Sequence, residues 1–169
     1  MTEPLNQTRV APAAAWESLF RDYYDAYAPR LLGLGYSYFH DRHLAEEFMQ
    51  QAFCGLFQLL GRGAAVEKPL HYLVATVRNQ ALHHMQRKKM VEPIARAEQL
   101  PIPAGRSERA EKLWGMVAQL SFEYREVVHL HVDQQLTFQE IHETLRLPLG
   151  TVEKRYYTAI QKLQELWRE

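Results

Sequence analysis

The 169 residues hold 20 Lys and Arg against 20 Asp and Glu, a formal net charge of zero, so bulk charge does not mark a nucleic-acid binder; any such affinity has to come from local clusters. The length suits one ordinary domain or two small ones, and two units of that size would bury modest cores, each marginal by itself. The single cysteine, Cys54, excludes a disulfide framework and fits a reducing, cytoplasmic setting; no apolar run approaches a membrane span, so no membrane insertion is expected.

The stretch Met1 to Ala15 carries Glu3 and two prolines and does not read as a signal peptide. From there the periodicity is helical nearly everywhere, and no β alternation lasts long enough for a strand, which predicts an all-α fold. Trp16, Leu19, Phe20, Tyr23, Tyr24 and Tyr27 form one apolar stripe on a first helix that is expected to end near Pro29. A second helix over Arg30 to Phe39 is interrupted by Gly33 and Gly35. Asp41 opens a third to Leu60, with Leu44, Phe48, Phe53, Leu56, Phe57 and Leu60 inward and Cys54 expected as a small buried thiol. Gly61-Arg62-Gly63 breaks it, Pro69 suits the first turn of a fourth helix, and that helix runs to about Lys89 with Leu70, Leu73, Val74, Val77, Ala81 and Met85 inward.

Between Met90 and Arg106 the pattern collapses around Pro93, Pro101, Pro103 and Gly105, the composition of an interdomain linker. Four further helices follow: Ser107 to Gln119, Phe122 to Val132, Thr137 to Leu145 and Leu149 to Arg168. The resulting division is a tail over 1–14, a first helical domain over 15–90, a linker over 91–107 and a second helical domain over 108–169, the two domains tethered as separate modules.

Two regions have the pattern of a nucleic-acid interface. Thr137-Phe138-Gln139-Glu140 is a capping-box sequence, Arg146-Leu147-Pro148 makes a tight break, and Gly150-Thr151-Val152 opens the last helix, which together read as a helix-turn-helix. Val152, Tyr156, Ala159, Leu163 and Leu166 take one side of that last helix. Thr151, Glu153, Lys154, Arg155 and Tyr157 lie elsewhere near its start, the part that enters a major groove in this motif. Lys154 and Arg155 can reach phosphates or guanine edges, and Glu153 can accept from cytosine N4. The fourth helix is the most basic stretch: Lys68, Arg78, Arg87, Lys88 and Lys89, with no Asp or Glu among them. Asn79, His83 and Arg87 recur at four-residue steps as one polar stripe, and Tyr72 and the histidines add flat rings. Cations with rings suit a single strand, whose phosphates need charge and whose bases stack. The third helix instead presents Glu46, Glu47, Gln50 and Gln51 beside Asp41, an acidic-amide face better suited to a protein than to DNA.

These segments, in this order, resemble the extracytoplasmic-function sigma factors, the minimal two-domain branch of the sigma-70 family. Ala45-Glu46-Glu47-Phe48-Met49-Gln50-Gln51-Ala52-Phe53 is similar to the family's "AEDLVQE-F" helix; Pro69-Leu70-His71-Tyr72-Leu73 with Val77-Arg78-Asn79 is similar to "WL…ARN". Leu120-Ser121-Phe122-Glu123-Tyr124-Arg125-Glu126-Val127-Val128 resembles "LP-EYREV", and the stretch from Leu136 to Val152 resembles "LS-EEIA…IP-GTV". The resemblance implies a factor that binds core RNA polymerase and directs promoter-specific initiation. It would bind the polymerase clamp through Asp41, Glu46, Glu47, Gln50, Gln51 and Phe53. It would take the −10 element of promoter DNA with Lys68, Tyr72, Arg78, Asn79, His83, Arg87 and Lys88. It would read the −35 element with Thr137, Thr151, Glu153, Lys154, Arg155 and Tyr157. Relatives are often held by an anti-sigma protein, so such a partner is a further expectation. Rival readings of the same residues are a sigma-like regulator without initiation activity and a protein-only adaptor.

The chain departs from the family pattern at several of these positions. Glu47 stands where Asp is usual, Gln51 where Glu is, and His83 where Asp or Asn is. Arg146 replaces the turn glycine, which would strain it if the position needs a positive φ. Glu153, Thr158 and Ile160 stand where basic residues are common, leaving the −35 face poorer in charge. The adjacent His83-His84 pair and the His129 and His131 pair have poor chelating spacing, so no metal or other cofactor is expected. No phosphate loop, nucleophile elbow or dinucleotide fingerprint is present, which argues against an enzyme.

Overall fold

A computed structural model of the chain describes residues 13–91 and 108–168. Among the described residues seven α-helices follow in order: α1 (Ala13–Phe39), α2 (Arg42–Gly61), α3 (Pro69–Val91), α4 (Glu108–Gln119), α5 (Phe122–Val128), α6 (Phe138–Leu145) and α7 (Leu149–Arg168), with a π-helical turn at His129–Asp133 continuing α5. The described residues contain no strand. Apart from Val91, the expected linker lies outside the described residues, as does most of the expected tail.

The first two expected helices are one. Proline lacks the donor for an interior hydrogen bond and normally breaks a helix, yet Pro29 sits inside α1. Tertiary burial holds the helix on both sides of it: Ala28, Leu31, Leu34 and Tyr38 share one inward face. The glycines do not interrupt it either. An added Cβ at Gly35 would lie 3.0 Å from the Ala45 Cα, so the missing side chain lets α1 and α2 approach backbone to backbone, while Gly33 faces open space. His40 then stops α1 in the left-handed conformation at φ 57.

Asp41 caps α2, its carboxylate accepting from the His43 and Leu44 N–H groups at 2.8 and 3.2 Å. The buried stripe of α2 is Ala45, Phe48, Met49, Ala52, Phe53, Leu56 and Leu60. Cys54 is exposed, a correction to the expected buried thiol: it lies about 200° around the helix from both Ala52 and Leu56. Phe57 is also exposed, at 45%, and edge-on to Trp16 and Phe20 at 4.8 and 5.2 Å between ring centroids.

The two groups of helices are not held apart. One apolar core runs from Leu31, Leu34, Leu73 and Val77 of the first group into Val127, Leu130, Leu136 and Ile141 of the second. A smaller core of Met116, Val117, Leu120, Val128, Ala159 and Leu163 closes α4, α5 and α7 on each other. The two expected helical units are present, and in this structure they share the larger core. The physical reason is that α5 and α6 have apolar residues to bury on the side away from α4, and α1 and α3 bury them; Tyr38 meets Phe122 at 5.5 Å between ring centroids.

Candidate nucleic-acid interface

The helix-turn-helix is built by local sequence. Thr137 caps α6 with its hydroxyl oxygen accepting from the Glu140 N–H at 3.2 Å, and the Glu140 carboxylate accepts from the Thr137 N–H at 2.8 Å, a complete capping box. Those bonds, the backbone one foremost, hold the Glu140 carboxyl below its ordinary value of 4.5. Thr137, expected at the −35 element, thus has its hydroxyl committed to the cap. Arg146 ends α6 at φ 54, ψ 39, so the position where glycine was expected does need the left-handed conformation. Leu147 and Pro148 complete the turn, and the Thr151 N–H donates to the Pro148 carbonyl at 2.9 Å as α7 begins.

Val152, Ala159 and Leu163 bury one side of α7. Glu153, Lys154 and Tyr157 project from its first two turns, Tyr157 at 58% exposure, and Thr151 is half-buried beside them. Arg155 is turned toward α5, where its Nη2 lies 3.3 Å from the Glu123 carboxylate. Of the expected −35 cations, Lys154 projects freely toward solvent and Arg155 is engaged on the protein.

On α3, Leu73, Val74, Val77 and Ala81 face the core, and Asn79, His83 and Arg87 form the exposed stripe expected of them. The side chain of Lys88 lies outside what is described. Tyr72 is seated over Gly55, where an added Cβ would lie 2.5 Å from the Tyr72 hydroxyl oxygen. The cleft lined by His71, Tyr72, Ala75, Arg78 and Asn79 on one side and Glu143 to Arg146 on the other encloses about 400 Å³. Sequence reasoning on α3 named cations; the structure supplies their carboxylates. Arg78 donates from Nε to Glu126 Oε1 at 2.7 Å and from Nη2 to Oε2 at 3.3 Å. Lys68 Nζ lies 3.1 Å from Glu143, and His71 Nε2 lies 3.2 Å from Glu140. Tyr38 adds a third bond to Glu126, its hydroxyl donating at 3.0 Å. Burial first, and the Glu126 charge second, push the Tyr38 phenol well above its ordinary value.

The acidic-amide face of α2 is also as expected in outline. Glu47, Gln50 and Gln51 are exposed, with the Gln51 amide donating to Glu47 at 2.9 Å; Glu46 pairs with Arg42 at 2.7 Å. Asp41 serves the helix cap. Phe53 is 2% exposed, under Phe20 and Tyr24, and so supports this face from beneath.

Glu126, Tyr38, His71 and Gln134 were not singled out from sequence. Gln134 is buried and donates to the Arg30 carbonyl at 3.0 Å, while Arg30 donates back to the Gln134 carbonyl. One signal was available for Glu126: it sits four residues after Phe122 and four before Leu130, a carboxylate on the apolar side of its helix. Such a charge needs a partner when buried. The histidines are occupied locally, His129 with Asp133 at 2.5 Å and His131 with the Leu136 carbonyl at 2.8 Å.

A model of Sigma-70 region 2 matches residues 23–90 and a model of Sigma-70, region 4 matches residues 110–163. The chain is 24% identical over 159 residues to the RNA polymerase sigma factor CarQ of Myxococcus xanthus, covering 90% of this chain and 91% of that one. Among solved structures, it superposes on the sigma factor RpoE from Bartonella quintana, determined in complex with the anti-sigma factor NepR. The TM-score is 0.70 at 19% identity, over 89% of this chain and 98% of that one, a likeness of fold.

Proposed function

The chain belongs to the sigma-70 family, in its two-domain extracytoplasmic-function branch, and directs RNA polymerase to promoters; from that premise we propose which surfaces do the work. Core polymerase docks on the α2 face of Glu46, Glu47, Gln50 and Gln51, with Asp41 and Phe53 fixing the helix that carries them. The −10 strand runs along α3. Asn79 and His83 take an unstacked base, whose extrusion costs a few kcal/mol that stacking and hydrogen bonding return. Lys68, Arg78, Arg87 and Lys88 meet the phosphates, and Tyr72 offers a ring. The −35 duplex meets the start of α7 through Thr151, Glu153, Lys154, Arg155 and Tyr157, with Thr137 at the cap of α6. The observation that carries this assignment is the pairing of one exposed polar stripe on α3 with one exposed α7 start, each behind its own buried apolar face.

Polymerase supplies the chemistry, and this chain supplies position and strand capture. Promoter specificity then depends on few cations, because Arg155 is shared with Glu123 and each lost phosphate contact flattens the salt dependence by about one unit. The solved relative is held by an anti-sigma factor, and a partner of that kind fits the two helical units here as well. Run-off transcription with core polymerase, on promoters mapped after overexpression in the native host, tests the reading. A promoter-dependent transcript lost in an Asn79→Ala, Arg87→Ala variant is expected. A transcript unaffected by that variant overturns the α3 assignment, and absence of any promoter-dependent transcript favours a regulator without initiation activity.

A further inference from the structure

Lys68, the residue before α3, and His71 and Arg78 in its first half lie on one side of the helix, within about 80° of one another. Each is met by a carboxylate from the second helical unit: Glu143 at 3.1 Å, Glu140 at 3.2 Å and Glu126 at 2.7 Å. Two of the carboxylates come from α6, which opens the helix-turn-helix, and the third from α5. Asn79, at the head of the exposed stripe, lines the same cleft together with Tyr72. Spacing three anionic groups along a basic helix is the task a nucleic-acid backbone would perform there. Beneath them the shared apolar core closes around Val127, Leu130, Leu136 and Ile141.

We propose that the second helical unit acts as an intramolecular competitor of the −10 strand: in the closed form Glu126, Glu140 and Glu143 take the α3 groups that strand phosphates need, and strand capture requires their release. This rests on the reading of α3 as the −10 surface. The competitor is deepest at Glu126, which is 2% exposed and shared between Arg78 and Tyr38. It is shallow at Glu143, where both partners face solvent. Release is therefore graded: the outer pairs are screened by salt, and the inner pair opens only when the two units part. The −35 face of α7 is not covered in this arrangement, since Glu153, Lys154 and Tyr157 stay exposed. The closed form thus shields one promoter surface and leaves the other open.

The test uses the full chain with two variants. Glu140→Gln with Glu143→Gln keeps a capping-box residue at position 140, so α6 is retained; Glu126→Gln with Tyr38→Phe removes the inner charge. Binding of a fluorescein-labelled single-stranded oligodeoxynucleotide is followed by anisotropy in the absence of polymerase. The distance between units is followed by energy transfer between dyes on Cys54, which is exposed, and on Gln161→Cys. The outer double variant is expected to bind the strand about 3- to 10-fold more tightly, with a steeper salt dependence, at unchanged helical circular dichroism. The inner variant is expected to lower energy transfer as well. Unchanged strand affinity in the outer variant overturns the competition, whether or not the units part. In that event Asn79→Ala with Arg87→Ala, assayed for strand capture with core polymerase, separates the causes: lost capture leaves the α3 reading standing, and intact capture removes it too.

Discussion

Arg78 of α3 grips Glu126 of α5 with two N–H groups, at 2.7 and 3.3 Å, across 48 residues of sequence. The side chains are 17% and 1% exposed, so both charges have left water and each depends on the other. This pair, with Tyr38 as its third member, fixes where the second helical unit sits on the first.

Removing one partner strands the other. Glu126→Ala is expected to destabilise the chain by about 3–5 kcal/mol, because it leaves the Arg78 guanidinium buried and uncompensated. Replacing both, Arg78→Met with Glu126→Leu, is expected to cost much less. Urea denaturation of the single variant and of the double variant measures the difference; an equal loss in both would show that the pair is not coupled.

The turn between α6 and α7 stores strain at Arg146, an exposed residue at φ 54. Arg146→Gly is expected to stabilise the chain by about 0.5–1 kcal/mol, since glycine takes the left-handed conformation without the Cβ penalty. Thermal melting should move upward.

Two glycines, four and six residues after Pro29, predict opposite outcomes. Gly33→Ala meets open space and is expected to stabilise α1 by about 0.5–1 kcal/mol. Gly35→Ala would press a methyl to 3.0 Å from the Ala45 Cα and is expected to cost about 1–3 kcal/mol. Paired melting curves check both signs.

The α6 cap gives a pH dependence. Glu140 is held below its ordinary value of 4.5 by the Thr137 N–H first and by the Thr137 hydroxyl and His71 after it. A carboxyl depressed in the folded state contributes stability that is present above the unfolded value and is lost as pH falls through the folded one. Stability should therefore fall below about pH 4.5 more steeply in the native sequence than in Glu140→Gln. Parallel slopes in denaturant titrations across that range would refute it.

At the −35 end, Lys154 is the cation free to leave the protein surface. Lys154→Ala is expected to weaken promoter binding by the polymerase complex roughly evenly across sequences and to lower its salt slope by about one. Filter-binding or anisotropy titrations over salt concentration give the slope directly.

Much of the candidate site was legible because it is written at short range. The Asp41 cap, the Thr137 and Glu140 box and the Asn79, His83, Arg87 stripe all follow from residues within a few positions of each other, where helix geometry fixes who meets whom, while the left-handed demand at Arg146 was suggested only by the glycine usual there in the family. The errors were of another kind. Pro29 and Gly35 read as breaks because local propensity disfavours them, while packing against α2 overrode it. Cys54 and Phe57 read as buried because an apolar residue on a helix was taken for a core residue, and α2 is covered on one side only.

The sequence by itself determined where the chain is helical, the caps of α2 and α6, the helix-turn-helix and the family to which they belong, since each depends on periodicity and on neighbours along the chain; that its first two helical segments are one continuous helix it did not. Only the tertiary structure decided that the two helical units close on each other, and that Arg78, His71 and Lys68 already hold carboxylates. Those partners lie 48 to 75 residues away, and no periodic pattern records them: an ion pair formed across a shared core is chosen by how whole helices pack, not by the order of residues within either one.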